Sequence, residues 1–107
     1  MIIREPFDFW THISLVTLFS NDGRLEDAQA HIEQAKPYTT NNPYHLARVM
    51  QEQTTVWRKQ SKLEEARSEA LRAANAFEEL GATRDAEECR EFLQGIQKEL
   101  DLPVLSG

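Results

Sequence analysis

The three histidines are the side chains in this chain best suited to metal binding, but their spacing does not indicate a site. His12, His31 and His45 are too far apart to form a local ligand motif of the kind that holds zinc. A cluster formed in space stays open as an alternative, because helices bring distant residues together. The expected arrangement is three histidines that lie at the surface or have ordinary hydrogen-bond partners.

The single cysteine, Cys89, is the obvious candidate nucleophile, and its neighbours argue against that role. Glu87, Glu88 and Glu91 surround it, whereas an activated thiol needs an electropositive setting. Cys89 falls on the apolar stripe of a predicted helix, so a small buried thiol is expected. The glutamates do not form an obvious acid–base pair, because adjacent helical residues point in different directions. Basic residues at salt-bridging spacing accompany them, at Arg84 and Arg90, which indicates a solvated charged face.

The composition limits the classes of function that this chain can serve. Its 107 residues suit one domain, and 40% of them are hydrophobic and 28% charged, as in a folded soluble protein. The four glycines cannot form a phosphate-binding loop, so we expect no enzyme activity, no cofactor and no metal. A net charge of −6 opposes binding to nucleic acid. One cysteine, no secretory signal and no long apolar run predict a cytoplasmic protein without a membrane partner.

Apolar residues recur at steps of three and four along most of the chain, which predicts an all-α fold of five helices. Asn42-Pro43 is a helix start signal, Gly81 suits a helix C-terminus, and Pro37 ends a regular helical pattern. On the third helix, the predicted buried face carries Leu46, Met50, Thr54 and Trp57. The predicted helices span about 8–20, 25–36, 43–59, 62–80 and 84–100.

A stretch of sequence recurs thirty-eight positions further along the chain. The segment 23–35 returns as 61–73, with Leu25, Glu26, Ala28 and Ala35 matched by Leu63, Glu64, Ala66 and Ala73. A period between about twenty and fifty residues is typical of a solenoid, in which each unit buries its apolar face on the next.

This repeat resembles the tetratricopeptide repeat (TPR), two antiparallel helices in about 34 residues. The resemblance implies a right-handed solenoid of about two and a half repeats. Its parts would be a lead-in at 1–6, repeat one at 8–37, repeat two at 43–80 and a terminal helix at 84–100. Phe19 and Trp57 would be core residues, and Ala28 and Ala66 would lie where helices approach closely. Ser61 replaces the turn glycine of Gly23 in the second repeat.

The resemblance also implies a function, because TPR domains bind peptides or partner helices on the concave wall formed by the first helix of each repeat. We therefore expect a protein–protein interaction module that serves as a scaffold. Alignment on the two turns places Trp10 and Ile13 on this wall, together with eight polar residues that are the predicted partner-binding residues: Ser14, Thr17, Asn21, Arg48, Gln51, Glu52, Thr55 and Arg58. Arg90 and Gln94 follow on helix five. Arg48 and Arg58 are expected to be exposed donors to carboxylates or carbonyls. The Lys, Asn and Arg set of the family's carboxylate clamp is not reproduced, and each of these charges could instead be an ordinary surface group.

Self-association is the alternative function, as an oligomerisation element of a larger regulatory protein. A short array ends on apolar helix faces, which solenoids normally cover with polar caps. A two-fold homodimer would cover them by pairing each face with its own copy. The candidate contact residues are Phe92, Ile96, Leu100, Leu102 and Val104 at one end, and Ile2, Ile3 and Phe7 at the other. A third possibility, a small-molecule pocket between helices, has no positive feature in the sequence.

Overall fold

The computed structural model describes residues 8–101, and this range contains five α-helices, one short 3₁₀-helix and no strand. The all-α prediction is therefore confirmed. None of the helices within this range is long and apolar enough to cross a membrane. The helices are α1 Phe9–Asn21, α2 Leu25–Ala35, α3 Pro43–Lys59, α4 Leu63–Glu79 and α5 Thr83–Asp101, with the 3₁₀-helix at Lys36–Thr39.

Side-chain caps define where two of the helices begin. The Asn42 side chain accepts a hydrogen bond from the His45 amide at 3.1 Å, and Pro43 occupies the first position of α3. Asp8 accepts in the same way from the Thr11 amide at 2.8 Å, before α1. Each cap satisfies an amide that has no partner within its own helix. The start of α3 is therefore where the Asn42-Pro43 signal predicts it.

Three of the helix–helix turns have the same geometry. Gly23, Ser61 and Gly81 all adopt left-handed backbone conformations, with φ of 76°, 63° and 74°. In each turn the amide of the next residue bonds to a carbonyl five residues back, which closes a Schellman motif. These bonds are Arg24 to Phe19 at 2.8 Å, Lys62 to Trp57 at 2.9 Å and Ala82 to Phe77 at 2.9 Å. The predicted role of Gly81 is confirmed, and Ser61 adopts the conformation of its glycine counterparts.

The end of α2 differs slightly from the prediction. The α-helix stops at Ala35, and the 3₁₀-helix continues through Pro37. Proline fits there because the first amides of a short helix need no internal partner. Hydrogen bonds from Thr39 Oγ1 to the Lys36 carbonyl at 2.7 Å, and from the Asn42 amide to the Thr39 carbonyl at 3.0 Å, order part of the polar loop.

Helix α3 is buried on two sides, which corrects the single apolar face predicted for it. Val49 and Val56 pack into a core cluster with α1 and α2, whereas Ala47 packs into a second cluster with α4 and α5. Thr54 is buried as predicted, but Leu46 is 44% exposed. A helix that packs between neighbours buries residues on two sides. The spacing of its apolar residues therefore does not show which of its faces are buried.

Four alanines of α2 and α4 are buried in the core between the helices. Ala28, Ala35, Ala66 and Ala73 are completely buried, as the repeat pattern predicts for positions of close approach. The two aromatic residues before the turns are less buried than predicted: Phe19 and Trp57 are both half-buried and pack on the edges of core clusters. The Phe19 ring stacks on the His31 ring and also contacts the Arg24 guanidinium, which is 4.7 Å from its centroid.

The apolar stripe of α5 is covered by α4. Ile96 is fully buried against Ala66 and Ala70, and Phe92 and Leu100 are half-buried on the same cluster. Ile96 is therefore unavailable as a dimer contact, because the small side chains of α4 let α5 pack closely over it. The lead-in at 1–6 and the other proposed contacts, Ile2, Ile3, Phe7, Leu102 and Val104, lie outside the described residues.

Candidate binding groove

Six of the eight predicted partner-binding residues surround one depression of about 290 Å³ on the face shared by α1, α3 and α5. We call it the polar depression. Ser14 is exposed on α1 but does not line it, and Arg58 lies further along α3. Ile13 is buried in the core against α2, which corrects its predicted place on the wall. The lining residues are Thr17, Ser20, Asn21, Arg48, Gln51, Glu52, Thr55 and Glu88.

Two further cavities continue from the polar depression along α3. The central cavity, of about 200 Å³, is lined by Gln51, Thr54, Thr55, Ala70, Glu88, Cys89 and Phe92. The distal depression, of about 340 Å³, is lined by Thr55, Arg58, Lys59, Phe92 and Glu99. Neighbouring cavities share lining residues, and Thr55 belongs to all three. Together they form one groove along α3, which we call the groove.

Two hydrogen bonds fix the position of α5 beside α3. The Tyr44 hydroxyl donates to Asp85 at 2.9 Å, and Arg58 donates to Glu99 at 2.9 Å. Each pair is separated by 41 residues, so the two helices run in the same direction with a constant register. The bond to Asp85 raises the pKa of the Tyr44 phenol, and burial adds to this, so the phenol stays protonated as the donor.

This register corrects the residues predicted for the α5 side of the groove. Arg90 forms an ion pair with Glu78 of α4, and Gln94 lines a different depression between α4 and α5. Glu88, Phe92 and Glu99 line the groove instead. They flank the buried stripe of Ala86, Cys89 and Ile96, and that stripe is the sequence signal that could have identified them.

Arg48 is engaged within its own helix, contrary to the expectation that it is an exposed donor. Its Nη1 donates to Gln51 Oε1 at 2.9 Å, and its Nη2 lies 3.1 Å from Glu52 Oε1. Glu52 is only 7% exposed, and burial raises the pKa of its carboxyl group while Arg48 lowers it. The two opposite charges offset each other, so the polar depression has little net charge from α3.

Arg58 is likewise held in place, by three residues of α5. Its Nε and Nη2 both donate to Glu99 Oε1, and its guanidinium lies 4.6 Å from the centroid of the Phe92 ring. Gly95 leaves room for it, since a Cβ at that position would stand 2.9 Å from Nη2. Arg58 therefore joins α3 to α5 and is not a free donor.

Cys89 lies at the base of the central cavity and is 2% exposed. Burial, followed by the nearby carboxylates of Asp85 and Glu88, raises the pKa of its thiol to about 11. The thiol is thus neutral at physiological pH and unsuited to nucleophilic attack. The predicted buried cysteine is confirmed.

Two of the histidines meet at the contact between α1 and α2. The Nδ1 atoms of His12 and His31 are 3.0 Å apart, and His45 stacks on Phe9 with ring centroids 3.8 Å apart. No set of three or more His, Cys, Asp or Glu side chains within residues 8–101 is arranged to hold a metal ion. The His12–His31 contact joins residues 19 apart on separate helices, so their spacing in the sequence did not reveal it.

Comparison with protein-family models, with curated proteins and with solved structures finds no significant match for this chain. Residues 8–101 form an all-α fold of five helices with a groove along α3.

Proposed function

We propose that this chain is a protein-interaction module that binds a segment of a partner protein along the groove. The observation that carries the proposal is the row of three neighbouring cavities along α3, which α1 lines at one end and α5 lines throughout. From Arg48 to Lys59, at about 1.5 Å per helical residue, the groove is roughly 16 Å long. An extended chain advances about 3.3 Å per residue, so about five residues of a partner fit along it.

Neutral polar side chains are expected to provide most of the recognition. Arg48 and Arg58 already have partners in the free protein, and releasing them would cost hydrogen bonds. Gln51 and Thr55 lie between these arginines on the floor of the groove, and Asn21 lies on its α1 side. Amide and hydroxyl groups of this kind can pair with the alternating N–H and C=O groups of an extended backbone.

The resemblance to tetratricopeptide repeats supports the same proposal. In that family the first helix of each repeat lines the binding wall, and α1 and α3 are the helices that precede the repeated turns at Gly23 and Ser61. The similar turns support an equivalence of the two helical pairs. A net charge of −6 favours a protein partner over nucleic acid, and we expect the protein to act in the cytoplasm.

The proposal is tested by selecting binders from a library of displayed random peptides and measuring their affinity for variants of the chain. Thr55→Arg places a large charged group at the residue common to all three cavities and should abolish binding. The control, Asn75→Arg, adds the same side chain to an exposed position on α4 and should leave affinity unchanged. Peptides that bind both variants equally well would contradict a site in the groove.

Self-association remains the second candidate, now centred on a cleft on the outer side of α4 and α5. Leu71 is 51% exposed, and it lines this depression of about 500 Å³ together with Leu93. A second copy of the chain could cover these leucines. Light scattering would show a dimer that Leu71→Asp dissociates, whereas a monomeric parent chain would reject this candidate.

A further inference from the structure

The central cavity interrupts the core between α3, α4 and α5. Buried residues on one side of it form a cluster that includes Phe77 and Cys89, and those on the other side form a cluster that includes Ala70 and Ile96. The cavity touches Cys89 of the first cluster and Ala70 of the second. Larger residues at these positions would fill the gap, so the small side chains preserve about 200 Å³ of space.

All but one of the described residues that line the cavity are apolar or neutral, and Gln51 adds a neutral amide. Thr54 and Thr55 donate their hydroxyls to the Met50 and Gln51 carbonyls of their own helix, at 2.9 and 3.5 Å. The base consists of Ala70, the neutral Cys89 thiol and the Phe92 ring. Within residues 8–101, Glu88 is the one charged residue that lines the cavity, and its half-exposed side chain also lines the polar depression.

The central cavity has the size of an amino-acid side chain, and it shares lining residues with the depressions on both sides. An apolar cavity of about 150 Å³ is large enough to admit benzene. The central cavity is somewhat larger, at about 200 Å³, and can therefore receive a leucine, methionine or phenylalanine side chain. Gln51, Thr55 and Glu88 connect it to the polar depression, and Thr55 and Phe92 connect it to the distal depression.

We propose that the central cavity is the anchor site for one large apolar side chain, Leu, Met or Phe, of the partner segment. This inference rests on the proposed function and specifies the chemistry of the partner. The depressions on both sides favour a peptide as the occupant, because a chain must enter and leave the anchor position, whereas a free small molecule needs no such space. A buried apolar anchor with a polar rim is the usual arrangement at a binding hot spot.

The displayed-peptide selection tests this inference through the sequences it recovers. The binders that Thr55→Arg blocks should share one Leu, Met or Phe between polar residues, and replacing that residue with Ala should weaken binding about tenfold or more. Ala70→Leu fills the cavity and should weaken binding to the same extent. Ala30→Leu adds the same side chain at an exposed position of α2 outside the groove and should leave affinity within about twofold, which makes it the matched control.

Further measurements keep the outcome decisive. If circular dichroism shows that Ala70→Leu does not fold, Cys89→Met replaces it as the test, because it fills the cavity from α5. The anchor site would be overturned, and the proposed function left standing, by one outcome. In it, the peptides that Thr55→Arg blocks share no apolar residue and bind Ala70→Leu and Cys89→Met as tightly as the parent chain. Peptides indifferent to Thr55→Arg would overturn both. Benzene is added as a small-molecule probe, and the NMR signal of the Ala70 methyl group reports whether it enters the cavity. If benzene shifts this signal but no peptide uses the cavity, the cavity is a small-molecule site and the inference is overturned.

Discussion

Arg58 of α3 donates two hydrogen bonds to a single oxygen of Glu99 on α5, with the Nε–Oε1 distance at 2.9 Å. The guanidinium passes over Gly95 and against the Phe92 ring, so three residues of α5 contact one side chain of α3. At the other end of the same two helices, Tyr44 bonds to Asp85. These contacts hold the two sides of the groove at a fixed separation.

Arg58→Glu should therefore destabilise the chain as well as affect binding. The substitution removes the cation–π contact with Phe92 and places two carboxylates together, and we expect a loss of about 1–2 kcal/mol in the free energy of unfolding. The combined change Arg58→Glu with Glu99→Arg should recover part of this loss. Urea denaturation measures both variants.

The control is Lys36→Glu, which breaks an exposed ion pair between the 3₁₀-helix and Glu33 of α2. Its effect should stay below about 0.5 kcal/mol, as is usual for exposed pairs. Equal losses in the Arg58 and Lys36 variants would show that the Arg58–Glu99 contact contributes nothing beyond an ordinary surface pair.

Ser61→Gly should stabilise the chain. Ser61 has a φ of 63°, a conformation that costs a residue with a Cβ roughly 1–2 kcal/mol and glycine almost nothing. Thermal denaturation should show a gain of about 0.5–1 kcal/mol, after the greater flexibility of glycine in the unfolded chain is included. The reverse change, Gly23→Ser, should lower stability by a similar amount, and an unchanged melting temperature in both variants would contradict the assigned turn geometry.

Enlarging the buried alanines should destabilise the fold. Ala28 and Ala66 are both completely buried between helices, so Ala28→Leu and Ala66→Leu should each cost about 1–3 kcal/mol through overpacking. Ala30, on the exposed side of α2, provides the control, and Ala30→Leu should change stability by less than about 0.5 kcal/mol. If all three variants have the same melting temperature, the helices do not approach closely at Ala28 and Ala66.

Stability should fall between neutral and mildly acidic pH because of His31. Burial, followed by the charge of His12, lowers the pKa of the His31 imidazole, although Asp27 raises it. The folded-state pKa then lies below the unfolded value of about 6.5, so the unfolded state binds the proton first as the pH falls. The contribution of His31 to stability is complete above the unfolded-state pKa of about 6.5. It is lost as the pH falls from there toward the lower folded-state pKa.

Urea denaturation of the parent chain and of His31→Gln, at about pH 7.5 and about pH 5.5, isolates this contribution. The parent should lose more stability than the variant over the interval. Glu52 contributes in the opposite direction, because burial raises the pKa of its carboxyl group, but it is common to both chains and cancels in the comparison. An identical pH dependence in the two chains would exclude His31 as the cause.

Local signals in the sequence predicted the helices well. Asn42-Pro43 located the start of α3, because a capping amide and a proline act within one turn of the residues they affect. Gly81 located the end of α4 for the same reason. The continuation past Pro37 was not predicted, because a proline excludes a longer α-helix but is compatible with a 3₁₀-helix.

The burial of polar residues was harder to predict, because it depends on partners from other helices. Gln53 is buried on α3, where its amide exchanges two hydrogen bonds with Gln29 of α2, at 2.8 and 2.7 Å. Arg58 was predicted to be exposed because nothing near it in the sequence indicates Glu99. Such pairings depend on the register between helices, which local periodicity does not encode.

Because α3 shares its two sides between separate core clusters, the chain need not open as a single unit. Helices α1 and α2 join the remainder through α3, by contacts with Val49 and Val56, by the Gln29–Gln53 pair and by the stacking of Phe9 on His45. Their amide hydrogens are therefore expected to exchange with solvent through openings that leave α4 and α5 closed. A segment bound across α1 and α5 would favour the closed state and slow this exchange, so occupation of the groove would protect amides on a helix pair that the segment only partly touches.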